Sequence, residues 1–362
     1  MTDRLPSFGN SGKTPWGAHA FRGVLCILCI CALAGAAALF VRRTAAFPGR
    51  RASASQPYRT FSGTAMGTLF ALSVVEADAG RAEAAWNAAR AALEEIEREL
   101  SVYNPSSAVA RVNRSAAGAA TALPPHFAAV FRAARRMHRD SGGAFDPTVE
   151  PLMEVWGFRA GKGAQARTSA PSPDEIGAAL ERVGLDRHFA AEDRDGALVL
   201  VKRSDAAQLD FGGIAKGYAV DCVCDRLVAA GHADFLVNLG GNIRCFGTPS
   251  GRADSEGWIV GIRDPRRADA APLSSVRMGG GQATATSGGY ERFVEYDGVR
   301  HCHILDPRTG RPVPRPPLQV TVFARTALEA DALSTALFIM GESASAELLA
   351  RYPGSSASFV VR

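Results

Sequence analysis

The sequence is poor in the features that define several common protein classes. Lysine occurs at only four of 362 positions, and no block of basic residues is interleaved with aromatics, although the net charge is +5. This pattern gives no support to nucleic-acid binding. No internal repeat is present. With 47% apolar and 21% charged residues, the chain has the composition of a globular protein that buries a core, in one large domain or two ordinary ones.

Cysteine is also sparse, and its spacing excludes two kinds of cross-link. Three of the seven cysteines lie in a hydrophobic N-terminal stretch, and the other four show no paired spacing of the zinc-binding type. Cys222 and Cys224 are two apart on a predicted helix, so they point to different sides and cannot easily bridge each other. We therefore expect the body cysteines to act as small buried apolar residues.

One long hydrophobic run is present, at residues 23–41, with arginines at both ends. Its 19 uncharged residues reach the lower length limit of a membrane-spanning helix and also resemble a signal-peptide core. An uncleaved anchor and a cleaved signal both remain open, and either predicts an exported protein. The run separates a predicted cytoplasmic segment, 1–22, from a linker at 44–57 and a folded body at 58–362.

Hydrophobic periodicity indicates an α+β fold with largely antiparallel sheets. Three-and-four spacing predicts helices at 82–100, 127–139 and 327–340, and Gly341 is a typical helix C-terminal residue. Strands are predicted at 68–75, 197–202, 235–238, 258–262, 292–296 and 319–324, and loops at 159–173 and 248–256. Because the strands and helices do not alternate regularly, a doubly wound parallel sheet fits less well.

A glycine-rich segment at 210–218 leads directly into an apolar-periodic stretch that ends at Gly231. Asp210, paired glycines and Lys216 lie together at this predicted helix start. Free N–H groups and the positive dipole end of a helix suit a phosphate, and glycines let the backbone approach a ligand closely. On its own this is a weak signal for phosphate binding.

The last predicted helix carries Asp331 and Thr335, four residues apart and therefore on one face. A carboxylate and a hydroxyl placed in this way can bind a hard cation such as Mg²⁺. The alternative is that Asp331 faces solvent and Thr335 bonds back to its own helix.

Two histidines, His301 and His303, alternate along a short predicted strand, so both are expected on one side. A strong turn sequence follows at 306–310. A histidine that ends a strand beside a carboxylate is a general-base candidate, and a structural histidine is the alternative.

Other candidate ligand contacts lie in turns. Asp146 occupies a proline-bounded turn near aromatics, which suits the edge of a planar ligand, although ordinary turn capping is the alternative. Tyr103 follows the first long helix and could stack on a ring. Glycine-rich loops at 238–242 and 286–290 could contact phosphate or ribose.

The tripeptides at 138–140 and 210–212 spell the catalytic and metal-binding motifs of protein kinases. A kinase needs an asparagine shortly after the first aspartate, and a glycine-rich strand with a lysine before it. Both are missing here, so the kinase interpretation is rejected.

Taken together, these motifs closely resemble the ApbE family of flavin transferases, also called FAD:protein FMN transferases. The resemblance runs in order over roughly 58–341, almost the whole body. The matching segments are 65–68, 103–107, 145–148 with 156–158, 210–221, 238–241, 286–288, 303–310 and 330–336.

The resemblance implies a single large α+β domain in which the pyrophosphate of FAD is split. FMN is joined through a phosphoester to a threonine or serine of an acceptor protein, and AMP leaves. Asp331 and Thr335 match the family's Mg²⁺ ligands, with the carbonyl of Gly213 as a third, and His303 matches the histidine that activates the acceptor hydroxyl. The residues expected to contact FAD are Met66, Tyr103, Ala144, Phe145, Asp146, Asp210, Lys216 and Leu305.

The chain departs from the family pattern at Asn242, where the family often has aspartate, and at Gly289, where a polar residue is more usual. Two alternatives stay open: an FAD pyrophosphatase that releases FMN and AMP, and a non-catalytic FAD-binding protein. The expected location is the bacterial inner membrane facing the periplasm, or the periplasm if the signal is cleaved. Expected acceptors are flavoprotein subunits of sodium-pumping NADH:quinone reductase or Rnf complexes, or extracytoplasmic reductases.

Overall fold

The computed structural model describes residues 58–159, 167–252, 256–267, 271–290 and 292–361. The predicted segments 1–22, 23–41 and 44–57 lie outside the described residues, as does part of the predicted loop at 159–173. Within the described residues, no helix is both long and apolar enough to cross a membrane.

The described residues form one mixed α+β unit in which every strand pairing is antiparallel. The helices are α1 (Ala79–Leu100), α2 (Ala108–Arg114), α3 (Pro125–Asp140), α4 (Glu150–Val155), α5 (Pro173–Leu180), α6 (Leu185–His188), α7 (Ala215–Ala229), α8 (Ala327–Met340) and α9 (Ser345–Ala350). The strands are β1 (Tyr58–Ala65), β2 (Thr68–Val75), β3 (Ala120–Ala122), β4 (Phe189–Arg194), β5 (Ala197–Lys202), β6 (Phe235–Leu239), β7 (Asn242–Phe246), β8 (Trp258–Ile262), β9 (Ser274–Met278), β10 (Ala283–Gly288), β11 (Phe293–Tyr296), β12 (Val299–Cys302), β13 (Leu305–Asp306), β14 (Arg311–Pro312), β15 (Gln319–Ala324) and β16 (Ser356–Val360).

Seven strands form the main sheet, in the order β1-β2-β6-β7-β10-β15-β16. Smaller sheets join β3-β5-β4, β8-β9, β11-β12 and β13-β14. Apolar side chains of the main sheet pack with α1, α3, α7 and α8 in one continuous core. The α+β class and the antiparallel sheets predicted from the sequence are thereby confirmed.

The three long predicted helices are present. α8 has the predicted bounds, whereas α1 and α3 extend beyond theirs. α1 begins three residues earlier than predicted because Asp78 caps it, accepting a hydrogen bond from the Arg81 N–H at 2.7 Å. α3 buries Phe127, Val130, Phe131 and Ala134 on one face, as its three-and-four spacing indicates. α8 ends at Met340, and the following Gly341 has a φ of +76°, which suits the residue after a helix.

The body cysteines are free thiols in the described residues, and three of them are buried. Cys222 is only partly buried, so the expectation of full burial is wrong at that position. Burial raises the pKa of its thiol to about 11, which keeps it protonated at neutral pH.

Candidate functional site

A cavity of about 690 Å³ opens where the β1–β2 turn, the start of α7, one face of α8 and the loop after β12 converge. All twelve site residues predicted from the sequence line this one cavity. They are Met66, Tyr103, Ala144, Phe145, Asp146, Asp210, Gly213, Lys216, His303, Leu305, Asp331 and Thr335. Segments up to 269 residues apart are therefore brought together, although the individual roles of the residues stay predictions.

The carboxylate of Asp331 is buried and bonded to the start of α7. Its Oδ2 accepts a hydrogen bond from the Gly217 N–H at 2.9 Å. Asp221 of α7 reciprocates, accepting from the N–H groups of Ala327 and Leu328 at the start of α8, both at 2.9 Å. Each helix thus supplies the anion that satisfies the first turn of the other.

This arrangement corrects the prediction that the start of α7 offers free N–H groups to a phosphate. One of those groups, on Gly217, is already bonded to a protein carboxylate. The contact depends on glycine, since a Cβ at position 217 would lie 2.1 Å from the Ala327 carbonyl oxygen. Gly217 therefore serves close helix packing. The alternative in which Asp331 faces solvent is also wrong, because the residue is only 5% exposed.

Lys216 brings a positive charge to the same wall of the cavity. Its Nζ donates to the Gly212 carbonyl at 3.0 Å and lies 3.7 Å from Asp331 Oδ1. The ammonium therefore stands between the glycine turn and the buried carboxylate, where it can also pair with a phosphate oxygen of a ligand.

The predicted metal ligands form an oxygen-rich corner beside this lysine. A Cβ at Gly213 would lie 3.3 Å from Thr335 Oγ1, which places the Gly213 backbone directly against that hydroxyl. Ser287 Oγ lies 3.4 Å from the same hydroxyl. Within the described residues, no group of three or more His, Cys, Asp or Glu side chains is arranged to hold a metal. One carboxylate, a hydroxyl and a backbone carbonyl nevertheless fit Mg²⁺, which binds few protein oxygens and keeps waters and substrate phosphates.

The geometry around His303 defines which ring nitrogen carries the proton. Nδ1 lies 3.0 Å from the Arg292 carbonyl oxygen. Because a carbonyl can only accept, Nδ1 carries the hydrogen and Nε2 of the neutral ring keeps its lone pair. The imidazole is therefore held as the tautomer that a general base at Nε2 requires.

The surroundings of His303 also favour the neutral ring. Burial lowers the pKa of His303 to about 4, and the positive charges of Arg292, Lys216 and Arg159 act in the same direction. The hydrogen bond to the Arg292 carbonyl is the largest effect after burial, and it opposes the lowering of the pKa without cancelling it. At neutral pH the ring is therefore an unprotonated acceptor.

His301 and His303 do not continue along one strand as predicted, because β12 ends at Cys302. The His301 ring contacts the rings of Trp156 and Tyr296, at centroid distances of 5.1 and 5.8 Å. His301 thus has the packing environment of a structural histidine.

Met66 reaches the cavity from the two-residue turn between β1 and β2. Both turn residues have positive φ, +49° at Met66 and +71° at Gly67, as a type I′ hairpin turn requires. Such a φ is unusual for a residue with a side chain. Glu97 of α1 holds the turn, because its Oε1 accepts a hydrogen bond from the Met66 N–H at 2.7 Å.

Asp146 caps its own turn, in agreement with the structural alternative to a ligand contact. Oδ1 accepts from the N–H and the hydroxyl of Thr148, at 2.8 and 2.5 Å, and Oδ2 accepts from the Leu185 N–H at 3.2 Å. These bonds hold the turn at the cavity wall, and the ring of the preceding Phe145 lies against Gly213.

The sequence interpretation missed Arg159. Its guanidinium contacts three side chains at once: the carboxylates of Glu150 and Asp210, and the hydroxyl of Tyr103. Arg159 is the first residue of the segment predicted as a loop, where no periodicity marks it. Only its position directly after the motif at 156–158 could have singled it out.

Two carboxylates share this one guanidinium in a poorly solvated place. Burial and the neighbouring Asp210 raise the pKa of Glu150 to about 8, against the opposing effect of Arg159. Glu150 therefore retains its proton to a higher pH than an ordinary glutamate does.

Of the two departures from the family pattern, only Asn242 lines the cavity. Its Nδ2 donates to the Leu239 carbonyl at 3.3 Å, and its buried Oδ1 has no hydrogen-bond partner among the described residues. Gly289 lies against Cys302 and Phe338 instead.

The chain is similar to known proteins over most of its length. A sequence model described as the ApbE family matches residues 66–359. The FAD:protein FMN transferase of Salmonella typhimurium is 34% identical over 299 residues, covering 83% of each chain. That of Treponema pallidum is 37% identical over 286 residues, covering 75% of this chain and 77% of the relative.

Solved structures show the same similarity. The apo form of Pseudomonas stutzeri flavinyl transferase ApbE superposes with a TM-score of 0.73 at 34% identity, covering 86% of this chain and 93% of that chain. The ApbE protein of Thermotoga maritima gives a TM-score of 0.73 at 31% identity, covering 84% and 94%. With the family motifs, the fold and these relatives in agreement, the chain belongs to the ApbE family.

Proposed function

We propose that this protein transfers FMN from FAD to a threonine or serine hydroxyl of an acceptor protein, in an Mg²⁺-dependent reaction that releases AMP. One observation carries the proposal: a neutral imidazole and an oxygen ligand set line the same cavity. The imidazole is His303, and the predicted ligand set is Asp331, Thr335 and Gly213.

In this reaction the acceptor oxygen forms a bond to the phosphorus of the FMN half, and the bond from that phosphorus to the bridging oxygen breaks. The bridging oxygen and its electron pair leave with AMP. His303 takes the hydroxyl proton at Nε2, since Nδ1 is committed to the Arg292 carbonyl. Mg²⁺, when bound, supplies positive charge that stabilises the pyrophosphate and the leaving phosphate.

Lys216 adds a second positive charge on the phosphate side of the cavity, beside Asp331. The flavin and adenosine parts of FAD are bound by the remaining lining residues, including Met66, Tyr103 and the turn at Asp146. An extended dinucleotide matches a cavity of about 690 Å³, within the usual range for ligand sites.

The test is mass spectrometry of a candidate acceptor protein incubated with FAD, Mg²⁺ and this enzyme. We expect the acceptor to gain one FMN at a threonine or serine, with one AMP released per modified acceptor. FMN and AMP without a modified acceptor would instead identify a pyrophosphatase. Tight FAD binding with no AMP would identify a binding protein. A parallel reaction with His303→Ala checks that the modification depends on this site.

We also propose that the protein works outside the cytoplasm, attached to the inner membrane through the hydrophobic segment at 23–41, or in the periplasm if that segment is cleaved. The length and flanking arginines of the segment support this location. The proposed acceptors are flavoprotein subunits of sodium-pumping NADH:quinone reductase or Rnf complexes, or extracytoplasmic reductases. Co-expression with each acceptor, followed by in-gel flavin fluorescence, distinguishes them.

A further inference from the structure

Tyr103 is a large aromatic residue at the cavity, and it is 69% exposed. An exposed side chain samples several rotamers, and a ligand that stacks on it must restrict that freedom. Here contacts within the protein restrain the ring. The Arg159 guanidinium lies over the ring, 5.1 Å from its centroid, and also donates to the phenol oxygen.

Arg159 is itself held in place from its other side. Glu150 Oε2 accepts from Arg159 Nε at 2.8 Å and from Nη2 at 2.5 Å, and Asp210 accepts from Nη2 as well. Asp210 is anchored in turn, because its Oδ1 accepts from the Gly212 N–H at 2.7 Å. A chain of contacts therefore connects the glycine turn at α7, through a buried guanidinium, to the exposed ring.

The fork of the guanidinium suits this task better than an ammonium would. It can bond two carboxylates and a hydroxyl in one plane while its face covers an aromatic ring. Only 13% of the Arg159 side chain is exposed, so the group is fixed by protein contacts.

We propose that Arg159 is a positioning residue that orients the Tyr103 ring to stack on the isoalloxazine ring of the substrate. The inference rests on the proposed function in that it takes a flavin as the substrate. Arg159 acts through Tyr103 and the orientation of Asp210, and it takes no part in the transfer of the proton or the phosphoryl group.

The experiment measures binding of FMN and of ADP to the full-length protein and its variants. FMN carries the ring that should stack, whereas ADP carries only the other half of FAD. We expect Arg159→Ala to raise the Kd for FMN about 3- to 10-fold, the effect of losing one preordered side chain, and to leave the Kd for ADP unchanged. The Kd for FMN of Arg159→Lys should lie between those of the parent protein and Arg159→Ala, because lysine keeps the charge but loses the fork.

Two further measurements separate positioning from stability. A stacked tyrosine ring quenches flavin emission, so bound FMN should fluoresce more strongly in Arg159→Ala than in the parent protein. Tyr103→Phe removes only the hydroxyl of an exposed residue. It should weaken FMN binding about 2- to 3-fold in the parent and have no further effect in Arg159→Ala, because the two groups act as one unit.

Arg244 provides a matched control. It is also a poorly exposed arginine, with 15% of its side chain accessible, and its guanidinium bonds Asp221 and lies 5.1 Å from the Phe246 ring centroid. Arg244→Ala should lower thermal stability without changing FMN affinity or the emission of bound FMN.

If Arg159→Ala and Tyr103→Phe both leave FMN affinity and emission unchanged, the inference is wrong. The same holds if Arg159→Ala weakens ADP as much as FMN. If the parent protein binds no flavin, the proposed function fails instead, and the two failures are thereby distinguishable.

Discussion

The response of the reaction to acid follows from the environment of His303. An unperturbed histidine has a pKa of about 6.5, so only about 3% of it is neutral at pH 5. With a pKa of about 4, about 90% of His303 is neutral at that pH. The fraction of active base at pH 5 therefore differs about 30-fold between the two cases. We expect the transfer rate to stay nearly level from pH 7 to pH 5 and to fall only near pH 4.

The assay is the initial rate of acceptor flavinylation at low FAD concentration, since kcat/KM reports ionisations of the free enzyme. His303→Ala is measured over the same pH range. We expect it to lose about a hundred- to ten-thousand-fold in rate while still binding FAD, because the cation ligands and flavin contacts remain.

A midpoint between pH 6 and 7 in the parent enzyme would refute the argument that burial sets the pKa of this ring. An unchanged rate in His303→Ala would remove the residue from the mechanism. Equal losses of rate and FAD affinity would reassign His303 to binding.

Three other predictions follow from the same site and one from the N-terminal sequence. Asp331→Ala should abolish transfer, as EDTA should, whereas Thr335→Ala should be milder because a neutral hydroxyl contributes less to a hard cation; full activity of Asp331→Ala in excess Mg²⁺ would place the metal elsewhere. Gly217→Ala should lower the free energy of unfolding by about 1–3 kcal/mol, because the added Cβ would overlap a carbonyl of α8. Gly177→Ala is the control: a Cβ at this position in α5 would meet open space, so the free energy of unfolding in the same denaturation assay should be unchanged or higher. The pKa of His303 is lower in the folded state, so the unfolded chain binds a proton more readily as the pH falls from about 6.5 to 4. Up to about 3 kcal/mol of the free energy of unfolding should therefore be lost across that range, as measured by urea titration. Full-length protein should pellet with membranes and resist a salt wash, whereas a variant without the hydrophobic segment and linker should be soluble and active. A mature N-terminus mapped between residues 34 and 42 would show cleavage instead.

The elements that the sequence predicts well are those whose evidence is local. Helices α1, α3 and α8 each repeat apolar residues over several turns, so their faces can be recognised without any partner. The bounds of β2, β5, β8 and β15 are also as predicted, because the strand pattern in each is likewise local. The two-residue strands β13 and β14 carry no such pattern, because they become strands only by pairing with each other.

The chemistry of the site divides in a similar way. Asp331 and Thr335 fall on one helix face by spacing alone, and the order of the motifs along the chain indicates the family. By contrast, the bond that occupies the start of α7 joins residues 114 positions apart. No local pattern predicts that bond. From the sequence alone, the N–H group is therefore expected to be free for a phosphate.

The sequence by itself thus determined the α+β class, the long helices, the residues that line the cavity and the family. These depend on periodicity, helix spacing and motif order, which are properties of neighbouring residues. The tertiary structure alone decided the tautomer and low pKa of His303, the mutual capping of α7 and α8, and the place of Arg159 beside Tyr103. Each of these arises from burial or from contacts between distant segments, because desolvation and hydrogen-bond geometry exist only once the chain is packed.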